Sequence, residues 1–249
     1  MHENKVCFKV CGDYALFSDP ITRVGGEKFT YPVPTYEALK GILKSVYWKP
    51  TIIWYIDKMR VMKKIQMETQ GVRPIKYNGG NDLSYYTYLK DCEYQVEAHF
   101  EWNMNQTELE KDRNENKHHN IAKRMIKRGG RRDIFLGTRE CQGYVEPCKF
   151  GDGEGAYDDV ALIDFGIMYQ SITYADEAYD KETSGRMTIN LCHTTMENGV
   201  IKFERPEKCI HKYIHEMQMK IFDDKKKNIK NVDDEYEEVF KYDMDACSL

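Results

Sequence analysis

Val6, Phe8 and Val10 alternate with Cys7, Lys9 and Cys11, a period of two that predicts a half-buried strand near the start of the chain. A loop rich in turn residues follows, with Gly25-Gly26 and then Pro32 and Pro34. Thr35 stands where a helix N-cap belongs, and Glu37 falls in the first turn. Leu39, Ile42, Leu43, Val46 and Tyr47 recur at helical spacing, while Lys40 and Lys44 lie on the other face. Pro50 stops this helix, because the residue before a proline avoids the α region. Ile52, Trp54 and Ile56 alternate with Ile53, Tyr55 and Asp57, starting a second strand that runs on past Val61. Residues 69–90 read as a loop, with Gly79-Gly80-Asn81-Asp82 as its turn and Tyr85, Tyr86 and Tyr88 beyond. Tyr94, Val96, Ala98, Phe100 and Trp102 alternate with Glu93, Gln95, Glu97, His99 and Glu101, the clearest strand in the sequence.

After a polar stretch at 103–116, Ile121, Ala122, Met125 and Ile126 mark a short helix over 117–128 that Gly129-Gly130 ends. Ile134, Phe135 and Leu136 form one more brief apolar run before Gly137. The resulting order, β-α-β-β-α-β, is the ferredoxin-like arrangement shared with RNA-recognition domains. Beyond residue 140, Gly, Asp and Tyr cluster at 151–159, and short apolar runs at 160–175, 187–192 and 200–203 predict a small antiparallel β unit. His211 and His215 read as one face of a short helix. The expected fold is α+β: a ferredoxin-like domain over 1–138, a small β-sheet domain over 139–222 and a charged tail over 223–249.

Composition narrows the class. The chain has 249 residues, 41% hydrophobic and 31% charged, enough apolar material for a real core and too little bias for a low-complexity protein. No apolar stretch approaches the roughly 18–20 residues that cross a bilayer, and Met1-His2-Glu3 does not open a signal peptide. A cytoplasmic protein without membrane contact is expected. Its eight cysteines contain no Cys-x-x-Cys pair and read as reduced thiols, with neither a disulfide framework nor a metal site; Cys7 and Cys11 share one strand face as small hydrophobes.

The net charge of −4 conceals a division. Residues 1–140 hold 24 Lys and Arg against 18 Asp and Glu, a net of +6, whereas residues 141–249 hold 13 against 23, a net of −10. The positive half suggests a polyanion partner. Its densest block, 111–132, carries Lys111, Arg113, Lys117, Lys123, Arg124, Lys127, Arg128, Arg131 and Arg132, offset only by Asp112 and Glu115. Clustered cations of this kind neutralise phosphates, and Arg adds bidentate geometry.

Inside the block stands Lys117-His118-His119. RNA can cleave itself when a 2′-OH attacks the adjacent phosphate, so an enzyme need supply only proton transfer and a cation for the developing charge. His suits either proton role near neutrality, and Lys supplies the charge. Tyr47, in Tyr-Trp-Lys-Pro, reads by its spacing as a core or rim aromatic, with base stacking as the alternative, and Trp48 and Lys49 extend the same aromatic-plus-cation combination. Gly129-Gly130-Arg131-Arg132 sets permissive backbone beside two arginines. The Gly- and Asp-rich stretch at 151–159 lacks the context of a nucleotide or calcium loop and reads as a turn.

Several long motifs resemble one known family. They are Gly-Asp-Tyr-Ala-Leu-Phe (12–17), Gly-Gly-Glu-Lys (25–28), Val-Pro-Thr-Tyr-Glu-Ala-Leu-Lys-Gly-Ile (33–42), Tyr-Trp-Lys-Pro (47–50), Gly-Val-Arg-Pro-Ile (71–75), Gly-Gly-Arg-Arg-Asp-Ile-Phe-Leu-Gly (129–137) and Arg-Glu-Cys-Gln-Gly-Tyr-Val (139–145). They look like the CRISPR-associated protein 5 family, Dvulg subtype, the RNA-processing member of type I-C systems. The resemblance implies metal-independent cleavage of precursor CRISPR RNA within its repeat hairpin, without a cofactor, by a Tyr, a Lys and a His that fall on Tyr47, Lys117 and His118. It further implies that the protein stays on the mature crRNA beside the backbone and large subunits of the interference complex, with duplex DNA as a further candidate partner. Trp48, Lys49, Lys123, Arg124, Lys127, Arg128, Arg131 and Arg132 are the expected RNA-binding residues. A non-catalytic crRNA-binding scaffold is the alternative, and a metal-dependent nuclease using the Asp-rich turn at 152–159 is a third.

Overall fold

A computed structural model describes residues 4–20, 22 and 26–219, so the charged 223–249 segment lies outside the described residues. The protein is mixed α/β, mostly antiparallel sheet with few helices. The strands are β1 (Val6–Ala15), β2 (Lys28–Phe29), β3 (Ile52–Val61), β4 (Met67–Val72), β5 (Ser84–Trp102), β6 (Ile134–Phe135), β7 (Gln142–Pro147), β8 (Ile163–Thr173), β9 (Arg186–Met196), β10 (Val200–Lys202) and β11 (Ile210–Glu216). The helices are α1 (Tyr36–Val46) and α2 (Glu115–Lys127).

The large sheet runs β10-β3-β5-β1-β7-β6, with β2 and β4 also paired to β5. Val6, Phe8 and Val10 are buried on one face with Trp54, Ile56, Val96, Ala98 and Phe100, and α1 adds Leu39, Ile42, Leu43 and Val46 to the same core. A second sheet of three strands, β11-β9-β8, carries the chain from residue 163 onward, apart from β10.

Three elements differ from the sequence reading. Residues 69–90 are not an irregular loop: β4 pairs with the start of β5, from Met67 opposite Leu89 to Val72 opposite Ser84. The apolar run at 134–136 does not supply the strand beside β1; that is β7, with Phe8 opposite Pro147 and Cys11 opposite Tyr144, while β6 is two residues long and pairs with β7. The large sheet therefore takes strands from beyond residue 138, both β7 and β10. His211 and His215 lie on β11 instead of a helix, with a β-bulge between Tyr213 and His215.

Lys40 and Lys44 do occupy the face of α1 away from the apolar stripe, but that face is covered. Both ammonium groups bind Glu177, at the turn after β8, and the side chains of Lys40 and Glu177 are only 4% and 10% exposed. Burial favours the neutral acid at Glu177, yet the two lysines outweigh it and hold its carboxyl down at about 2. At the other side of the molecule, the 151–159 turn is fastened by Asp158, whose carboxylate accepts from Arg60 Nε at 3.0 Å and from the Gly155 N–H at 2.8 Å. No helix among the described residues is long and apolar enough to cross a membrane.

Candidate active site

Tyr47 ends α1. Its backbone is extended (φ −155°, ψ 126°), its N–H donates to Leu43 O at 2.9 Å, and Trp54 Nε1 donates to its carbonyl at 2.8 Å. Further along the chain, Asn114 starts α2 by accepting the Lys117 N–H at 3.0 Å. That cap fixes the rotational phase of the helix and places His118, Ala122 and Ile126 on its buried stripe. Gly129 and Gly130 end the helix with φ of +87° and +113°, a left-handed turn that residues with a Cβ adopt at a cost.

His118 is 0% exposed. Its ring lies among Tyr47, Phe100 and Trp102, with centroid distances of 6.0, 6.1 and 5.6 Å. Nδ1 is 2.7 Å from the Tyr47 hydroxyl, and Nε2 is 2.8 Å from the main-chain oxygen of Asp112. A carbonyl can only accept, so in the neutral ring Nε2 carries the hydrogen and the Tyr47 O–H donates to Nδ1. Burial, then the Asp112 charge, push the Tyr47 phenol up to about 12, with Arg131 working against them. At neutral pH Tyr47 is a donor and a positioning group, and a poor base.

Asp112 is the residue that sequence reasoning missed. It ends a short 3-10 turn over Thr107–Asp112 and collects three partners. Its carboxylate binds the Lys117 ammonium and accepts from Thr51 Oγ1 at 2.8 Å, while its carbonyl accepts from His118. Burial would raise its pKa, but the Lys117 and Thr51 hydrogen bonds prevail and lower it. Nothing in the pattern distinguished this aspartate, because a 3-10 turn has no periodic signature.

Of the nine cations of the block, Lys111 lies in the 3-10 turn and Arg113 donates to the Asn103 and Gln106 carbonyls; the other seven divide into three groups. Lys117, Arg124 and Arg128 fall along one exposed stripe of α2, and Lys123 and Lys127 along the next. Arg131 and Arg132 leave the helix: the Arg132 N–H donates to Ser45 O at 3.1 Å, which docks their loop on the end of α1. There Arg131, Arg132, Trp48 and Lys44 line a cleft of about 480 Å³, which Tyr174, Asp176 and Glu177 also line. Lys49 is exposed beside it in sequence, and His119, next to His118, is half-buried. Among the described residues, no three His, Cys, Asp or Glu side chains are grouped to share a metal ion.

A mixed α/β protein of mostly antiparallel sheet, with a Tyr–His–Asp–Lys cluster under a cationic helix, is thus the class defined by fold and site. Residues 6–204 match the model of the family described as CRISPR-associated protein (Cas_Cas5), Cas5d. The chain belongs to that family. Two curated relatives bear the name CRISPR pre-crRNA endoribonuclease Cas5d. The one from Mannheimia succiniciproducens is 42% identical over 66 residues, which span 26% of this chain and 28% of the relative's length. The one from Thermus thermophilus is 28% identical over 179 residues, 68% of this chain and 73% of the relative. A solved structure described as a CRISPR-associated protein shares the fold at a TM-score of 0.70 and 35% identity, covering 84% of this chain and 96% of its own.

Proposed function

We propose that this protein is a metal-independent endoribonuclease that cuts precursor CRISPR RNA within its repeat, by attack of a 2′-OH on the adjacent phosphate. One observation carries the reading: Tyr47 and His118, 71 residues apart, meet at 2.7 Å, and Lys117 precedes His118 on α2 and shares Asp112 with it. The relatives named for pre-crRNA cleavage support the substrate. The strand order β3-β5-β1-β7, with α1 following β1 and α2 following β5, supports a ferredoxin-like N-terminal unit extended through β7. The β8-β9-β11 sheet then corresponds to the small C-terminal β unit.

In this mechanism Lys117 leaves Asp112 for the scissile phosphate, where a cation stabilises the extra negative charge of the transition state. A shift of the 107–112 turn away from α2 accompanies this step, freeing Nε2 of His118 from the Asp112 carbonyl and presenting it to the RNA. Tyr47 stays on Nδ1 and holds the ring. Trp48 stacks on a base, while Lys49, Lys123, Arg124, Lys127, Arg128, Arg131 and Arg132 bind phosphates. As the P–O2′ bond forms the P–O5′ bond breaks; the 2′-OH gives up its proton and the leaving 5′-oxygen gains one, with His118 as the proton-transfer group. The products carry a 2′,3′-cyclic phosphate and a 5′-hydroxyl, and the protein is retained on the crRNA beside the backbone and large subunits of the type I-C interference complex.

Full burial of His118 favours a second reading, a non-catalytic crRNA scaffold in which the His–Tyr pair only packs. One experiment separates the two: repeat RNA incubated with the protein in excess EDTA, beside His118→Ala. Cleavage that survives the chelator and disappears in the variant supports the nuclease. Tight binding without cleavage supports the scaffold, and loss of cleavage with chelator alone refutes metal independence.

A further inference from the structure

Two thiols far from the candidate active site in sequence face one another. The β1–β7 register, with Phe8 opposite Pro147, puts Cys7 across from Cys148, and their sulfurs are 3.4 Å apart. Neither is fully enclosed, in contrast to Cys92, Cys141 and Cys209. Both line a concavity of about 420 Å³ at the strand ends, which Lys5, Lys123 and Lys127 also line. A neighbouring pair of half-buried thiols on adjacent strands requires little backbone movement to bridge, and the lysines favour an anionic reagent.

We propose that Cys7 and Cys148 form a thiol–disulfide site, oxidised to an intramolecular cross-link by a carboxylate-bearing, low-molecular-weight disulfide. The two thiols have different roles. Either S–H can donate across the 3.4 Å gap; the bond with the Cys7 sulfur, and Lys9 nearby, lower the pKa of Cys148, while the same bond and burial raise that of Cys7. Cys148 is therefore the attacking thiolate. It bonds to one sulfur of the reagent, expels the other half as a thiolate, and becomes a mixed disulfide. The Cys7 sulfur then attacks Cys148, forming the Cys7–Cys148 bond and releasing the second half, which takes the Cys7 proton. The protein loses two electrons and two protons, and the reagent becomes two thiols.

The test uses the full chain with glutathione disulfide as the probe, alkylation of remaining thiols, peptide mapping and thermal unfolding. Closing so long a loop should raise Tm by roughly 5–15 °C. A cross-linked Cys7–Cys148 peptide is expected, together with that rise. In Cys7→Ser the cross-link is lost and the glutathione adduct accumulates on Cys148 in preference to Cys11. Absence of the cross-linked peptide in folded, oxidant-treated protein overturns the proposal. So does a Cys7→Ser variant whose adduct is no more frequent on Cys148 than on Cys11.

Discussion

Replacing Tyr47 with Phe removes a single oxygen, and the geometry says what that oxygen does. It is 2.7 Å from Nδ1 of a histidine that is 0% exposed, so no water takes its place without opening the site. Leaving a buried acceptor unpaired costs about 1–3 kcal/mol. If this cost falls on the reactive orientation of His118, cleavage slows by roughly 5- to 150-fold, while loss of the histidine itself costs about 10²–10⁴. The decisive assay is single-turnover cleavage of repeat RNA by Tyr47→Phe, His118→Ala and the double variant. Because Tyr47 acts through His118, the double variant should cleave no more slowly than His118→Ala alone. Losses that multiply would refute the positioning role and assign Tyr47 a contact of its own with the RNA.

The remaining predictions concern the scaffold around this pair. Asp112→Asn removes the carboxylate charge that competes with phosphate for Lys117, so repeat RNA should bind about 2- to 5-fold more tightly, the value of an exposed ion pair; unchanged or weaker binding counts against the displacement step. Glu177→Gln leaves Lys40 buried without its counter-charge and should cost about 3–5 kcal/mol of stability, read by denaturant unfolding. In the parent, a carboxyl held at about 2 stabilises the fold above the ordinary carboxylate range and loses that contribution as pH falls from about 4.5 toward 2; Glu177→Gln should flatten this part of the pH–stability curve. Gly137→Ala should lower Tm by roughly 4–10 °C, because Gly137 has φ of +96° and a Cβ there would sit 2.0 Å from Leu16 O.

The legible parts of this fold are those where one face meets the core and the other does not. The β1 and β5 alternations are matched by their burial except at Gln95, which is buried, and Trp102, which is half-buried, and Thr35 caps α1 where expected, its side chain accepting from the Ala38 N–H. The β4–β5 hairpin was hidden because β4 alternates only between exposed and half-buried positions, with Glu68 and Gln70 on its half-buried face and Met67 on the exposed one, so the apolar alternation that marks a strand is missing. β7 was hidden differently: Gly143 takes one of its two buried positions, leaving Val145 as its only buried apolar side chain. At the site, Lys117-His118 stood out by chemistry, but the burial of His118 had its own signal, since it precedes Ala122 and Ile126 at four-residue steps and so belongs to their stripe. Its meeting with Tyr47 is a tertiary fact, set by how α1 and α2 pack on the sheet, and no local pattern encodes it. The net charge of −4 was a poor guide; the cation-rich 111–132 block, now divided over two helix stripes and a docked loop, carried the information.

The central claim is that the RNA's own 2′-OH is the nucleophile. Repeat RNA carrying a single 2′-deoxy nucleotide at the cleavage position, incubated with the protein in EDTA, tests it most directly. The account predicts binding equal to that of the unmodified RNA and no cleavage at that bond. Cleavage of the deoxy substrate at the same position would contradict it and require water, or another external nucleophile, in place of the 2′-OH.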